Sequence, residues 1–332
     1  MDRIRCGVIG IGWFGEYHVD TLTELPLAEM AAVCTRTESR LKEIADQYSV
    51  PKRYTDYHEL LADKDIDMVS VVTHVSDHVQ ITIDALRAGK HVFVEKPMAN
   101  TAEECDQILA EVAKTDKCFM TGHICRFDTA YALAKEEIDS GNIGRVVSLR
   151  AKRNLAGFIT ETQLEKISAL FGDGIHDLDL MFWYTGAKPT RVYAQTQNTR
   201  GKPFDDVGWA MFELDNGATA VVESNWSLPH DVPFAIDARM EVIGTKGWLM
   251  VDNSGAHYQV HGTSGLKYPQ ATYWPKVNGH RRGYLKEELD YFLKCIAEGR
   301  KPTVITPQES RDVVHACRVA EESARLKKAV EF

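Results

Sequence analysis

A glycine-rich turn constrains the fold of this 332-residue chain more than any other sequence feature. The apolar run Ile4 to Ile9 predicts a buried strand, and Gly10-Ile11-Gly12-Trp13-Phe14-Gly15 separates it from an amphipathic stretch that reaches Leu25. Glycines at these spacings allow a tight turn, a close approach to a pyrophosphate, and close packing of helix on strand. The sequence therefore predicts a dinucleotide-binding turn, with every residue of the turn a candidate cofactor ligand; a plain strand-to-helix turn is the alternative.

Strand-like and helix-like segments alternate as far as residue 122. Further strands are predicted at Met30 to Cys34, Met68 to Thr73, His91 to Lys96 and Cys118 to Thr121. Parallel strands need the helical crossovers that lie between these runs. Residues 1–122 are therefore predicted to form an N-terminal Rossmann NAD(P)-binding domain of about six strands.

Cofactor choice depends on the residues after the second strand. A NAD-type site places an Asp or Glu there, on the ribose diol, whereas this chain has Thr35-Arg36-Thr37. A guanidinium can bind the 2′-phosphate of NADP through two hydrogen bonds, although Arg36 could also stack on adenine or lie in solvent. The sequence predicts NADP or NAD, with NADP slightly favoured and Thr35 and Arg36 as candidate ligands.

The fourth predicted strand ends abruptly at Glu95-Lys96-Pro97. Proline lacks an N–H and favours extended geometry in the residue before it, so the ammonium of Lys96 is predicted at the sheet rim, where open parallel sheets bind ligands. Lys96 is thus a candidate catalytic residue, and a solvated lysine is the alternative. Alternation along a strand predicts that Glu95 points away from Lys96.

Residues 123–332 follow a different pattern. Helical stretches are predicted at about Thr129 to Ile138 and Thr160 to Tyr184, with a strand at Val146 to Arg153 between them, and two helices close the chain, the second capped by Thr306 to Glu309. From Arg191 up to those closing helices, strands succeed one another without helices between them. These strands are predicted at Val192 to Thr196, Trp209 to Leu214, Ala218 to Trp226, Arg239 to Ile243, Trp248 to Val251 and Tyr258 to Val260. They predict a C-terminal α/β domain with a large, mostly antiparallel open sheet, covered by helices on one face. The other face needs a partner, so self-association as a dimer or tetramer is predicted.

A histidine flanked by carboxylates lies in the helical part of this second domain. His176 is three residues from Asp173 and three from Asp179, and such neighbours are within reach on a helix. A carboxylate beside an imidazole orients the ring and favours its protonated form, as proton transfer requires. A structural histidine is the alternative.

Composition narrows the partners and the compartment. The net charge of −9 and the pI near 5.8 argue against nucleic acid and anionic membranes, which leaves small molecules. The seven cysteines are scattered without a C-x-x-C pair, so neither a disulfide framework nor a metal site is predicted. Without a targeting pattern or an apolar run of ~20 residues, the sequence predicts a cytoplasmic chain.

Several short motifs are spread over nearly the whole chain: Gly10 to Gly15, Thr73 with His78, Ala88 to His91, Glu95 to Pro97, Gly122-His123 with Arg126-Phe127, and His176 with Asp179. Together they resemble the Gfo/Idh/MocA family of oxidoreductases. The resemblance implies a Rossmann domain joined to an α/β domain whose open sheet makes dimer or tetramer contacts. It also implies hydride transfer between nicotinamide and a secondary alcohol or ketone of a sugar or cyclic polyol.

The same resemblance assigns roles to individual residues. Lys96 would be the catalytic lysine, and His176 either its partner in proton transfer or a substrate ligand. Further cofactor ligands would be Thr73, His74, His78, Glu95, Lys96 and Pro97, and the substrate ligands besides His176 would include Lys96, His123, Arg126 and Asp173. The chain departs from the family pattern at His74, where many members have proline, and at Gly172, where many have aspartate and Asp173 is the candidate replacement.

Other interpretations stay open at this point. Arg153, with Arg150, Lys152 and the His280-Arg281-Arg282 run, could bind an anionic substrate group or lie in solvent. The same fold could serve a reductase of a non-sugar carbonyl or imine, or a nucleotide-sensing regulator that has lost catalysis. The presence of both Lys96 and His176 favours an enzyme, since a sensor needs only the cofactor cleft.

Overall fold

The computed structural model describes residues 3–254, 258–263, 265–269 and 271–332. The chain forms two compact units, one of Met1–Phe127 with Thr272–Asp312, the other of Asp128–Ala271 with Val313–Phe332. The predicted boundary at residue 122 lies close to the first junction. The return of residues 272–312 to the first unit has no counterpart in the predicted domains.

The first 127 residues alternate strands with helices. The strands are β1 (Ile4–Ile9), β2 (Ala28–Cys34), β3 (Lys52–Tyr54), β4 (Met68–Val71), β5 (His91–Glu95) and β6 (Phe119–Gly122). The helices are α1 (Trp13–Glu24), α2 (Glu38–Gln47), α3 (Tyr57–Ala62), α4 (Val75–Arg87) and α5 (Ala102–Val112), followed by a 3₁₀ turn at Ile124–Phe127. The strand β3 is absent from the strands named in the sequence analysis.

The strands form one parallel sheet in the order β3-β2-β1-β4-β5-β6. This order joins two βαβ halves at β1 and β4, the switch point at which doubly wound sheets bind nucleotides. All four residues of β4 are buried, as a strand covered on both faces requires. The predicted Rossmann architecture of the first domain is confirmed.

The second unit contains a seven-stranded sheet. Its part of the chain, up to residue 271, has α6 (Thr129–Asp139), β7 (Val146–Ala156), α7 (Gly157–Thr160), a 3₁₀ turn (Gln163–Glu165), a π-helix (Leu170–Gly174), α8 (Ile175–Thr185), β8 (Pro189–Gln197), β9 (Val207–Leu214), β10 (Thr219–Leu228), β11 (Ile236–Gly244), β12 (Trp248–Asp252), β13 (Val260–Gly262) and β14 (Gly265–Lys267). The helical stretch predicted from Thr160 to Tyr184 is thus four short segments, one of them a π-helix.

The last 61 residues contribute β15 (Lys276–Val277), β16 (His280–Arg281), α9 (Tyr284–Ala297), α10 (Pro307–Leu326) and β17 (Val330–Glu331). In the first unit, α9 packs on α1 and on the 3₁₀ turn at Ile124–Phe127. A reciprocal capping box begins α10, because Thr306 Oγ1 accepts from the backbone N–H of Glu309 and the Glu309 carboxylate accepts from that of Thr306. The sequence predicts this cap correctly.

The large sheet has the order β12-β11-β7-β10-β9-β8-β17. Only β7 and β10 pair in parallel, so the predicted mostly antiparallel sheet is confirmed. Side chains alternate along its strands, and α8 packs on β7 and β10. The alternate positions carry large apolar side chains that are 38–67% exposed: Tyr193, Trp209, Met211, Ile243, Trp248 and Met250. We call these six residues the open-face cluster.

Among the residues that the structure describes, no helix combines the length and the apolar character needed to cross a bilayer.

A partly buried histidine links β5 to the segment before β6. The Nδ1 atom of His91 accepts a hydrogen bond from the backbone N–H of Cys118 at 2.9 Å. Burial, helped by the charge of Lys117, lowers the pKa of His91 from 6.5 to about 4. The unfolded chain therefore binds the proton first, so the stability that neutral His91 supplies is complete above about pH 6.5 and is lost as the pH falls toward about 4.

We predict that acidification from about pH 7.5 to about pH 5 destabilises wild type more than His91→Asn, because asparagine can accept the same hydrogen bond but does not titrate. Wild type should lose about 1 kcal/mol more of its unfolding free energy than His91→Asn. This is less than the pKa shift alone would give, because the ring is partly exposed to solvent. Urea unfolding at both pH values measures it. Equal losses in the two proteins would contradict the prediction.

Candidate active site

Two glycines of the turn after β1 are required by close backbone approaches. Gly10 has φ +90°, and a Cβ there would lie 2.5 Å from the carbonyl oxygen of Val72, just after β4. A Cβ on Gly15 would overlap the carbonyl oxygen of Gly10. Only glycine at both positions lets the first turn of α1 pack against the ends of β1 and β4.

The centre of the turn fits a dinucleotide. A Cβ placed on Gly12 would meet no described atom within 4 Å, so the backbone is open to a ligand there. Gly12 is the N-cap of α1, and no described side chain caps the helix at this residue. The first amides of the helix can therefore receive a pyrophosphate, whose negative charge the helix N-terminus favours.

Aromatic rings surround the same end of α1. Trp13 is 59% exposed, and the rings of Trp13 and Phe14 lie 5.8 and 5.2 Å from that of Trp274. Ile11 is buried, and its carbonyl oxygen accepts a 3.0 Å hydrogen bond from Arg40 Nε of α2. Sequence reasoning did not find Arg40 or Trp274, since neither belongs to a motif.

The predicted ribose position carries an exposed arginine. The side chain of Arg36 is 86% exposed, and its guanidinium lies 3.5 Å from the carboxylate of Asp77 in the first turn of α4. The backbone N–H of Thr35 donates to the carbonyl oxygen of Tyr54 in β3. A carboxylate thus lies near the position at which the sequence analysis looked for one, although it comes from a different element.

His78 joins two loops of the first unit. It is buried on α4, with Nδ1 at 2.9 Å from the carbonyl oxygen of Pro97 and Nε2 at 3.2 Å from that of Thr73. Burial lowers its pKa, although the two carbonyls oppose this shift. His74 is the N-cap of the same helix. Through these contacts His78 fixes the residue after Lys96 to the end of β4.

The carboxylate next to Lys96 belongs to a buried hydrogen-bonded chain. Glu95 Oε1 lies 3.1 Å from His18 Nε2, and His18 Nδ1 lies 2.8 Å from Ser70 Oγ. The other oxygen of Glu95 accepts from the backbone N–H of Lys96 at 3.2 Å. An ionised Glu95 requires the Nε2–H tautomer of His18, so Nδ1 accepts from Ser70. This chain fixes the backbone from which Lys96 projects.

Gly122 makes room for the carboxylate of Glu95. A Cβ at Gly122 would lie 2.7 Å from Glu95 Oε1. His18 and Ser70 were missed in the sequence analysis, although each carries a signal. His18 is a buried histidine on the first helix of the first unit, and Ser70 places a hydroxyl group within a buried strand.

Two predicted substrate ligands are buried at the end of the Rossmann segment. His123 is fully buried, and its carbonyl oxygen accepts from the backbone N–H of Arg126. The guanidinium of Arg126 donates to the carbonyl oxygen of Val304 at 2.6 Å and lies 3.0 Å from the carboxylate of Glu309. These contacts join the 3₁₀ turn to the start of α10, and direct substrate contact by either residue stays a prediction.

In the second unit, His176 lies in the first turn of α8. It is 6% exposed, and its Nε2 is 3.8 Å from Asp173 Oδ1 in the π-helix before it. The next residue, Asp177, forms a buried ion pair with Arg153 of β7 at 2.8 Å. Burial raises the pKa of Asp177, and the Arg153 charge partly opposes this shift. Arg153 therefore anchors the helix of His176, and its contact with an anionic substrate stays a prediction.

Other basic residues considered for substrate binding have carboxylate neighbours. Lys152 pairs with Asp237 at 2.5 Å, within the second unit. Arg281 pairs with Asp20 of α1 at 2.6 Å, and its guanidinium lies 4.3 Å from the ring centre of Tyr17, all within the first unit. These pairs give Lys152 and Arg281 structural contacts that neither interpretation in the sequence analysis anticipated, and their contact with a substrate stays a prediction.

Two family models match the two parts of the chain. One, described as an oxidoreductase family with an NAD-binding Rossmann fold, matches residues 4–123, and the other, described as the GFO/IDH/MocA C-terminal domain, matches residues 131–250. A scyllo-inositol 2-dehydrogenase (NAD(+)) of Bacillus subtilis is 31% identical over 310 residues, which are 91% of this chain and 89% of that protein.

The chain belongs to the Gfo/Idh/MocA family of oxidoreductases. A myo-inositol 2-dehydrogenase of Thermotoga maritima is 30% identical over 91% of this chain and 90% of its own length. A solved myo-inositol 2-dehydrogenase from Lactobacillus plantarum has a TM-score of 0.88 over 100% of both chains at 22% identity, which shows the shared fold. The family, the fold class and the NAD(P)-dependent oxidoreductase predicted from sequence are confirmed, but the slight preference for NADP is not supported.

The buried chain through His18 generates a stability prediction. Ser70→Ala removes one partner of the imidazole, and Glu95→Gln weakens the other, because glutamine keeps an acceptor oxygen but loses the charge of the carboxylate; each should lower the free energy of unfolding by about 1–3 kcal/mol. Because both partners depend on one tautomer of His18, the double variant should deviate from additivity by at least about 0.5 kcal/mol. Urea unfolding of the four proteins measures this coupling.

Thr23→Ala provides the control pair with Glu95→Gln. Thr23 lies on the same helix as His18, but its hydroxyl donates to the carbonyl oxygen of Val19 in that helix. We expect this pair to be additive. Additive effects of Ser70→Ala and Glu95→Gln would show that the imidazole does not couple them.

Proposed function

We propose that this protein is an NAD-dependent inositol 2-dehydrogenase, which oxidises a secondary alcohol of a cyclic polyol to the ketone. The observation that carries the proposal is the match, over about nine-tenths of the chain, to relatives named scyllo-inositol and myo-inositol 2-dehydrogenase. The position of Lys96 directly after β5 supports it, because ligands bind at the carboxyl ends of strands in open parallel sheets.

In the proposed reaction Lys96, as the neutral amine, accepts the proton of the substrate hydroxyl. The turn from Gly10 to Gly15 would hold NAD, which would supply the acceptor for the hydride of the same carbon, so that the alcohol would become the ketone. In the reverse direction the ammonium of Lys96 returns the proton. Glu95 and His78 hold the backbone on either side of Lys96 and so fix the origin of its side chain.

We propose that His176 shares in this proton transfer. Its rival role is to hold a substrate hydroxyl, for which one hydrogen bond would suffice. The neighbouring Asp173 favours the first role, because a carboxylate near the ring stabilises the imidazolium that forms when His176 accepts a proton.

For the cofactor we propose NAD. The preference for NADP inferred from Arg36 lacks support, since the Bacillus subtilis relative is named for NAD(+) and the carboxylate of Asp77 lies 3.5 Å from the guanidinium. A 2′-phosphate placed on Arg36 would meet the negative charge of Asp77. As for the compartment, the seven cysteines, all of them buried in the described part of the chain, fit a reducing one such as the cytoplasm.

A substrate panel tests the proposed function. The purified protein is incubated with scyllo-inositol, myo-inositol and common aldoses, each with NAD and with NADP, and reduction of nicotinamide is followed by its absorbance. The proposal expects turnover with an inositol and NAD. Turnover with aldoses alone, or with none of these compounds, would reject the inositol assignment.

Replacement of Lys96 tests its role in proton transfer. We expect Lys96→Met to lower kcat by roughly two to four orders of magnitude and to leave the Kd for NAD nearly unchanged, because the side chain supplies the proton acceptor but not the dinucleotide turn. Lys42→Met, at an exposed lysine of α2, is the control and should behave as wild type. Near wild-type turnover of Lys96→Met would remove Lys96 from the mechanism.

Replacement of Arg36 separates its possible roles. If the guanidinium meets a 2′-phosphate, Arg36→Ala should weaken NADP binding by about 1–3 kcal/mol and leave NAD binding nearly unchanged. Calorimetry with both cofactors measures the two Kd values. Arg87→Ala, at another exposed arginine beside a carboxylate, is the control. An equal loss for both cofactors would show that Arg36 only stacks on adenine.

We also propose self-association through the open-face cluster. Six large apolar side chains on one side of a sheet form a surface that a monomer would leave in water. Wild type should sediment at micromolar concentration with at least the mass of a dimer, and Trp209→Lys combined with Met211→Lys should shift it to the monomer. Val277→Lys, at an equally exposed apolar residue of β15, should not. A monomeric wild type would refute the proposal.

A further inference from the structure

One carboxylate in the π-helix has contacts on both of its oxygens. Asp173 Oδ2 accepts a 2.9 Å hydrogen bond from the indole Nε1 of Trp226 on β10. Asp173 Oδ1 lies 3.8 Å from Nε2 of His176. The indole N–H can only donate, so it selects an acceptor and fixes the plane of the carboxylate. At 3.8 Å the second contact acts through charge, and it gains strength when the imidazole carries a proton.

The indole is itself held in place. Trp226 is 3% exposed and packs in a cluster of buried apolar side chains: Leu155, Leu164 and Ala169, with Ile159, Ile167 and Ile236 at the margin. Its backbone N–H donates to the carbonyl oxygen of Asp206 at 2.7 Å, and its carbonyl oxygen accepts from Thr160 Oγ1 at 3.2 Å. The direction of its N–H is therefore set by β10 and by the packing around the ring.

Gly172 is the residue that admits this ring. A Cβ at Gly172 would lie 2.5 Å from Cη2 and 2.7 Å from Cζ2 of Trp226. Any side chain at position 172 would displace the indole, which cannot yield because it is packed on its other sides. Gly172 and Trp226 therefore occur as a matched pair, and the contact between Trp226 and Asp173 depends on both.

Further charged groups lie close to His176. Asp177 follows it in the chain and is paired with Arg153 of β7, both of them buried. Asp179 lies within the same helix and is fully buried. The pair of Asp177 and Arg153 is neutral as a unit, so its effect on the imidazole is smaller than that of a lone charge.

We propose that Trp226 and Gly172 are positioning residues that hold Asp173 against His176, so that its charge stabilises the imidazolium form. This inference rests on the proposed function, in which His176 takes part in proton transfer to and from the polyol. The indole keeps Asp173 aimed at the ring, and Gly172 keeps the indole within reach of Asp173. Replacement of Trp226, Gly172 or Asp173 should therefore lower the pH at which His176 titrates.

Titration of His176 by NMR tests the proposal without turnover. In ¹⁵N-histidine-labelled protein, the titration midpoint of His176 should fall by about one pH unit in Asp173→Asn, and in the same direction in Trp226→Phe and Gly172→Ala. Tyr258→Phe, at an exposed tyrosine of the second unit, should leave it unchanged. An unchanged midpoint in Asp173→Asn and Trp226→Phe would overturn the proposal, whether or not the protein oxidises inositols.

A double variant separates positioning from general loss of structure. Phenylalanine is smaller than tryptophan, so Trp226→Phe should leave space for a methyl group at position 172. Adding Gly172→Ala to Trp226→Phe should therefore shift the midpoint no further, whereas additive shifts would contradict the matched pair.

If a polyol is the substrate, the acidic limb of the plot of kcat against pH should move to lower pH in these variants, together with the midpoint of the NMR titration. Their kcat at neutral pH should fall by roughly tenfold. The Kd for NAD should not change. A moved midpoint with no activity on any polyol in wild type would support the positioning unit and reject the proposed function. A kcat limb that stays in place while the midpoint moves would overturn the role of His176 in the reaction.

Discussion

A close backbone approach at the switch point of the parallel sheet determines the rest of the first unit. Gly10, at the end of β1, lies so near the carbonyl oxygen of Val72 that a Cβ would be 2.5 Å from it. This contact joins the two βαβ halves where the strand order changes direction, and it presents the first amides of α1 beside the segment after β4. The ring of His78, near the start of α4, contacts the carbonyl oxygens of Thr73 and Pro97. These contacts hold the end of β5, which Lys96 follows, against the segment after β4.

Local patterns in the sequence predicted most of this arrangement. An apolar run, three spaced glycines and a helix gave the first βα unit, and the run from His91 to Pro97 gave the strand end that carries Lys96. The succession of strands without helices between them predicted the antiparallel sheet with one face left uncovered. These features depend on neighbours within a few residues, where turn geometry and side-chain periodicity act directly.

The hydrogen-bonded networks could not be predicted, because their members are far apart in sequence. His18 lies 77 residues from Glu95 and 52 from Ser70, and only the sheet order brings β4 and β5 under α1. Arg153 and Asp177 meet because α8 packs on β7. The return of residues 272–312 to the first unit is of the same kind. Sequence periodicity does not show which buried polar residues pair, because each member of a pair is an isolated polar residue within an apolar run.

The residue at position 172 illustrates how such distant contacts change the meaning of a motif. Many members of the family have aspartate where this chain has Gly172, and the sequence alone gives no reason why the carboxylate is absent at this position. In the structure the reason is steric: Trp226, 53 residues from Asp173, fills the space into which a side chain at 172 would project. The same indole donates through its N–H to the carboxylate one residue later, which faces His176. The departure at 172 and the tryptophan on β10 are therefore one structural feature, and the function of either can be judged only with the other present.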